Sequence, residues 1–267
     1  MDIIICPTAE SAARWVAEAI ARAIRAHPTI VLGLATGRTM ESVYEILVEL
    51  HRTEGLDFSR CRTFNLDEYV GIPADHPGSY HYYMNQRLFR HVNIDPHNTH
   101  LPNGMAPDLD EECRRYEALI AKCGGIDLQL LGLGKSGHIG FNEPLSPFYS
   151  RTRIQRLTAT TIAENRSLFP NPDEMPEYAI TMGVGTILDC RRLLMLVTGE
   201  SKADVLARTI EGPLTALVPA SAIQFHPDCT VVVDEAAAVG LRQREYYRCV
   251  SSSQLEWKQL SICGAPR

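Results

Sequence analysis

No stretch of this sequence is apolar for long enough to cross a bilayer. Its N-terminus, "MDIIICPTAE", lacks both the basic start and the long apolar run of a secretory signal. The eight cysteines include no CxxC pair, so the clustered ligands of a zinc site are missing. Without a secretory signal they read as reduced thiols of a cytoplasmic protein, most of them buried. An excess of positive charge is missing too. Lys plus Arg number 26 against 32 Asp plus Glu, for a net charge of −6. Neither nucleic acid nor a membrane surface is therefore the expected partner, although a local basic pocket is compatible with that balance. There is no internal repeat and no low-complexity linker that would divide domains.

What is present is ordinary in amount and regular in arrangement. The 267 residues, 45% of them hydrophobic and 22% charged, suffice for one large α/β domain or two small ones. Short apolar runs alternate with segments of helical spacing. Ile3 to Cys6 reads as a strand, and Ala9 to Ala26 as a helix with Trp15, Val16, Ala19, Ile20, Ala23 and Ile24 on one side. Then follow strand "TIVLGL" and helix 40–52, strand 61–66, helix "SYHYYMNQRLF", helix 108–123 and strand 126–133. Strand 192–198, helix 201–211, strand 230–234 and helix 235–248 complete the pattern, and a polar tail after about Val250 is expected to be peripheral. This alternation predicts an α/β fold, a mostly parallel sheet with helices on both faces.

In such a fold ligands bind beyond the carboxyl ends of the strands. Four loops lie there: "ATGRT" (35–39), "LDEY" (66–69), "GKSGHIGFNE" (134–143) and "TGESK" (198–202). "ATGRT" places Gly37 between two hydroxyls where a helix begins. Free amides and the helix dipole suit a phosphate there, with Thr36, Thr39 and Arg38 as further donors. A plain tight turn with a threonine cap would look the same. Lys202 opens another helix, where a cation is disfavoured unless an anion lies opposite, but lysines are more often merely solvated. Asp67 and Glu68 are adjacent on a strand and face opposite ways, so at most one of them serves a given site. The last loop is the most informative. Gly134, Gly137 and Gly140 allow unusual backbone angles and close approach, a histidine such as His138 is the side chain suited to shuttling protons, and Glu143 is placed to orient it. The residues alone thus point to a small anionic ligand such as a phosphate ester, with acid–base chemistry by Asp67, His138 and Glu143.

Taken together, "LGLATGRT", "TFNLDEYVGIPADHPGSYHYYM", "GLGKSGHIGFNEP", "SRTRI" and "AITMGVGTILD" resemble the glucosamine-6-phosphate deaminase/isomerase family in order and spacing, over about residues 1 to 245. The resemblance implies a Rossmann-like single domain, residues 1–250, with a mobile lid at about 158–177 and the peripheral tail at 251–267. It implies an isomerase coupled to hydrolytic loss of ammonia, working in the cytoplasm on N-acetylglucosamine-derived amino sugars, with no metal or organic cofactor. Glucosamine 6-phosphate would become fructose 6-phosphate and ammonium. By the resemblance His138 assists ring opening, Asp67 moves a proton from C2 to C1 through a cis-enolamine, and Glu143 supports His138. Thr36, Gly37, Thr39 and Lys202 would hold the phosphate, with Gly137 and Arg38 in the same substrate-binding set.

The sequence departs from the family in three places. Many members have an aspartate where Ser136 stands; a serine still hydrogen-bonds the imidazole but stabilises an imidazolium less. Members usually have Gly or Ser in place of Arg38, and an arginine in place of Ser167; here Arg166 falls one position early. Arg38 is accordingly expected to replace the missing phosphate cation, the alternative being that it points to solvent. Arg153 matches the arginine of the N-acetylglucosamine 6-phosphate effector site of hexameric members. Gln155 stands where lysine is common, however, and Pro147 interrupts the serine stretch, so activation by that effector is not expected. Both monomers and hexamers occur in the family. The rival readings are a galactosamine-6-phosphate deaminase and a 6-phosphogluconolactonase-like hydrolase, which would not need Asp67. A sugar-phosphate sensor domain of a regulator is a third, for which a DNA-binding segment ahead of the first strand would be expected.

Overall fold

The computed structural model describes residues 1–169 and 171–250. The chain runs β1 (Asp2–Cys6), α1 (Ala9–Ala26), β2 (Val31–Leu34), α2 (Arg38–Glu54), β3 (Arg62–Asn65), β4 (Asp67–Tyr69), α3 (Tyr80–Arg87), β5 (Thr99–His100), α4 (Leu109–Lys122) and β6 (Leu128–Leu131). It continues through β7 (Arg153–Arg156), α5 (Ala159–Asn165), β8 (Tyr178–Thr181), α6 (Val184–Leu188), β9 (Leu193–Val197), α7 (Ala203–Ile210), β10 (Cys229–Asp234) and α8 (Glu235–Ala238). Seven strands form a parallel sheet in the order β1-β10-β9-β6-β2-β3-β5. Strands β2, β6 and β9 are buried at every position, as expected of strands covered by helices on both faces. The chain winds one way from β2 through β3 to β5 and the other way from β6 through β9 to β10. The order therefore reverses between β2 and β6, and a crevice opens outside the strand ends at that point.

Local signals explain the element ends. Thr8 and Ser11 form a capping box at α1, and the side chains of Ser79 and Asp108 cap α3 and α4. The predicted strands and helices are present; β5 at the sheet edge, α5 and α6 are additional to them, and two larger differences stand out. The single helix expected over 235–248 is broken: α8 ends at Ala238 and helical turns resume at 244–250. Gly240 lies at the break, where a Cβ would stand 2.6 Å from the Ala203 carbonyl oxygen. The second difference is a small antiparallel sheet, β4-β8-β7, with Asp67 paired to Thr181 and Arg153 to the same residue from the other side. It carries its own apolar cluster of Tyr69, Ile72, Phe141, Leu157, Phe169 and Ala179. The segment joining β7 to β8, which contains α5, packs on this cluster through Phe169, Ile162 and Met175 and reaches the crevice. The expected tail, 251–267, lies outside the described residues. No described helix is long and apolar enough to cross a membrane.

Candidate active site

The crevice at the sheet's switch point is a cleft of about 190 Å³ lined by residues from all four loops. Thr36, Gly37, Arg38 and Thr39 come from the end of β2, Asp67 from beyond β3, Gly134, His138 and Gly140 from beyond β6, and Lys202 from beyond β9. These four strands are adjacent in the sheet, which is why loops far apart in sequence meet.

Asp67 is buried at the start of β4. Its carboxyl titrates well above the usual carboxylate range because burial disfavours the charge and the neighbouring Glu68 repels it. Glu68 points the other way, as strand alternation requires. It accepts the backbone N–H groups of Tyr69, Tyr80 and His81 and the His81 imidazole, at 2.8 to 2.9 Å. Glu68 thus anchors the first turn of α3, while Asp67 faces the cleft.

The glycines of the 134–143 loop make room for the reactive side chains. A Cβ on Gly134 would lie 1.9 Å from His138 Nε2, so the imidazole occupies the space that any other residue would fill. Gly140 has φ of 56° and a Cβ there would approach Asp67 Oδ2 to 3.3 Å. Gly137 serves the loop differently, packing against Val218 and accepting the Ala220 N–H at 2.9 Å. It is buried behind the loop and is not among the residues lining the cleft.

Ser136 Oγ stands 2.8 Å from His138 Nδ1 and 3.4 Å from Glu143 Oε2, and the direct His138–Glu143 separation is 3.5 Å. The hydroxyl can accept from Nδ1–H and donate to the carboxylate, which leaves Nε2 as the acceptor. Glu143 is buried and takes further hydrogen bonds from the Thr158 N–H and hydroxyl and from the Thr161 hydroxyl. Burial raises its pKa, but the His138 imidazole 3.5 Å away and the hydrogen bonds from Thr161 and Thr158 outweigh it and hold the carboxyl at about 2. Because the folded pKa lies below the ordinary 4.5, this carboxylate contributes stability above pH about 4.5 that is lost as pH falls toward about 2. Urea midpoints measured across that window should fall with pH, and Glu143→Gln should flatten the slope; an unchanged slope would mean that Glu143 makes no such contribution.

The candidate anion end is built from α2 and α7. Gly37, with φ of 113°, is the N-cap of α2 and makes no side-chain cap bond, so the first amides of the helix face the cleft at its positive dipole end. Lys202 is the N-cap of α7 and has its pKa lowered by burial, with Glu164 opposing that effect and Lys135 adding to it. Arg38 is exposed, yet it lines the cleft and its terminal nitrogen donates to Ser167 Oγ at 2.9 Å. The two departures in the anion end thus bind each other. Arg166 turns away, toward Asp173 and the Pro172 carbonyl. Arg153 donates to Asn142, Ser146 and Gln155, and burial lowers its pKa.

Sequence reasoning missed four residues here. Tyr80, Glu164 and Asn165 line the cleft, and Lys135 lies 3.2 Å from Glu164. Tyr80 stacks on Phe141 at a ring separation of 5.9 Å and bonds the Tyr69 hydroxyl, closing one wall with aromatic surface. Glu164 and Asn165 sit on a seven-residue helix, too short for periodicity to show which face is inward. Among the described residues, no three of His, Cys, Asp and Glu are grouped so as to hold a metal ion.

The chain is matched over residues 7–232 by the family model described as glucosamine-6-phosphate isomerases/6-phosphogluconolactonase. It is 52% identical over 244 residues to a glucosamine-6-phosphate deaminase of Rhodopirellula baltica, covering 91% of this chain and 97% of that one. A solved monomeric glucosamine-6-phosphate deaminase is 46% identical, with a TM-score of 0.88 over 90% of this chain and all of that one. A 6-phosphogluconolactonase of Trypanosoma cruzi is 23% identical with a TM-score of 0.71, covering 90% and 97% of the two chains, a likeness of fold alone.

Proposed function

Because this chain belongs to the glucosamine-6-phosphate isomerase/6-phosphogluconolactonase family, we infer that it is a glucosamine-6-phosphate deaminase, converting glucosamine 6-phosphate and water to fructose 6-phosphate and ammonium. Identity near 50% across nearly the full length of deaminases, against a likeness only of fold to lactonases, selects the deaminase branch. The observation that carries the chemistry is one cleft with a buried, cleft-facing Asp67, a relay of His138, Ser136 and Glu143, and a cationic helix-terminal end.

His138 Nε2 moves the anomeric hydroxyl proton to the ring oxygen, and the pyranose opens to the aldehyde. Asp67 then removes the C2 proton. The electron pair forms the C1=C2 bond of an enolamine while the C2 ammonium gives up a proton and the former carbonyl oxygen takes one. The same carboxyl returns its proton at C1, leaving an imine at C2. Water adds to C2 and ammonium departs, so one water is consumed per turnover. A base with a raised pKa suits this role, since it holds a proton long enough to deliver it to the neighbouring carbon. Thr36, Thr39, Lys202 and the α2 amides hold the phosphate, and energy from that unreacting end fixes C1 and C2 against Asp67. Gly137 supports the loop from behind. Residues 158–177 act as a lid that admits substrate and shelters the enolamine from bulk solvent. On this reading the enzyme works in the cytoplasm on amino-sugar phosphates, as a monomer like its solved relative or as a hexamer.

Arg38 supplies the phosphate cation that Ser167 cannot, reaching the same place from the opposite wall. Arg38→Ser should raise KM for the phosphorylated sugar about tenfold or more, as loss of a charge-assisted hydrogen bond does; an unchanged KM sinks this assignment. The function itself is tested by ammonium release from purified protein given glucosamine 6-phosphate, with galactosamine 6-phosphate alongside. Fast release from the gluco sugar is expected, and release only from the galacto sugar would move the specificity.

A further inference from the structure

We propose that Glu164 sets an affinity threshold at the anion end: a lid carboxylate that opposes every anion, so that bare phosphate falls below it while a sugar phosphate, with its further contacts, still binds. This rests on reading the cleft as a sugar-phosphate site. Its physical basis is that the cations of this end are already answered by the β7–β8 connection. Glu164 Oε1 lies 3.2 Å from Lys135 Nζ, and Ser167 Oγ accepts from Arg38 at 2.9 Å. The Glu164 side chain is 23% exposed and lines the same cleft as Thr36, Thr39 and Lys202, so its charge acts inside the site. It is also the acidic neighbour that favours the charged form of Lys202.

An anion that approaches the α2 amides and Lys202 therefore meets a fixed negative charge and must draw the cations away from it. That opposition weakens every anion alike. A sugar phosphate offsets it through contacts of its hydroxyls with the rest of the cleft; bare phosphate has nothing else to contribute. A penalty common to both leaves their affinity ratio unchanged, but it takes the fragment out of its binding range while the sugar phosphate, held by more contacts, stays bound. The arrangement also ties anion binding to the lid, because phosphate that takes over Lys135, Lys202 and Arg38 releases Glu164 and Ser167 from them.

Calorimetric titration of inorganic phosphate into the full-length wild-type protein and into Glu164→Gln tests this without any turnover. The dissociation constant for phosphate should fall on the order of fivefold in the variant, the scale of a partly exposed charge pair. Glu164→Ala removes the same charge with the best helix-forming residue and should give the same shift. Unchanged affinity in both folded variants would make Glu164 a mere surface partner of Lys135 and overturn the proposal. Weaker affinity would show that Glu164 organises the cations, and would overturn it equally. Wild-type protein that binds neither phosphate nor glucosamine 6-phosphate, with variants that gain no binding, would instead sink the sugar-phosphate reading beneath it.

Discussion

Asp67→Asn is expected to lower kcat for ammonium release about 10²- to 10⁴-fold, the range of a positioned acid–base group, with KM little changed. Asparagine keeps the shape and loses only the proton acceptor. Incubated in deuterated water, the variant should also stop exchanging the C2 proton of the substrate, which separates loss of the base from a fault in product release. Since the Asp67 carboxyl titrates well above the usual range, the wild-type rate should be lost on the acid side at a higher pH than an ordinary aspartate would give. Stability should move the other way. A carboxylate buried beside Glu68, with no hydrogen-bonding partner among the described residues to offset its burial, is costly. The neutral amide should therefore leave the thermal midpoint unchanged or raise it. A variant that retains turnover overturns the assignment of the base. Wild-type protein without deaminase activity, whose Asp67→Asn variant still hydrolyses 6-phosphogluconolactone, would revive the rival reading, in which Asp67 has no part.

His138→Gln is expected to be the second severe loss, about 10²-fold or more in kcat, because ring opening then proceeds without a proton carrier. The reduced, open-chain amino-alcohol phosphate needs no ring opening, and its affinity should stay within a few-fold of wild type. Loss of that affinity would mean that His138 holds substrate or the loop rather than moving a proton. The surrounding geometry favours a proton carrier. The imidazole lies over Gly134, its Nδ1 is committed to Ser136, and Ser136 leads to a Glu143 carboxylate held at about 2 by its hydrogen-bonding neighbours. On the proposed mechanism Ser136, whose hydroxyl lies between His138 and Glu143, serves the relay in place of an acid. Serine passes the orienting contact from Glu143 to His138 without adding a second charge.

Much of this was legible in the order of residues. A buried strand declares itself by a run such as "TIVLGL" and a helix by the spacing of Val16, Ile20, Ala23 and Ile24, because burial has a local period. Alternation of the two makes a parallel sheet, and a parallel sheet puts its ligand at the strand ends, so the four loops of the cleft follow from pattern alone. Alternation along one strand also showed that Asp67 and Glu68 divide their labour, though not which took which part.

That choice, and the rest of the site, belonged to the tertiary structure. Asp67 faces the cleft because β4 leaves the main sheet to pair with β8, and Glu68 turns to the start of α3. Gly137 carries no lining surface because Val218 and Ala220, some eighty positions later, press on it. Arg38 and Ser167 find each other, and Glu164 and Asn165 reach the cleft, because the β7–β8 pairing and the aromatic cluster of Tyr69, Tyr80, Phe141 and Phe169 set the segment between them over the strand ends. Composition and periodicity record how deeply each residue is buried relative to its near neighbours. Which distant side chain it meets there depends on strand pairing and packing across the whole chain, and no local period encodes that.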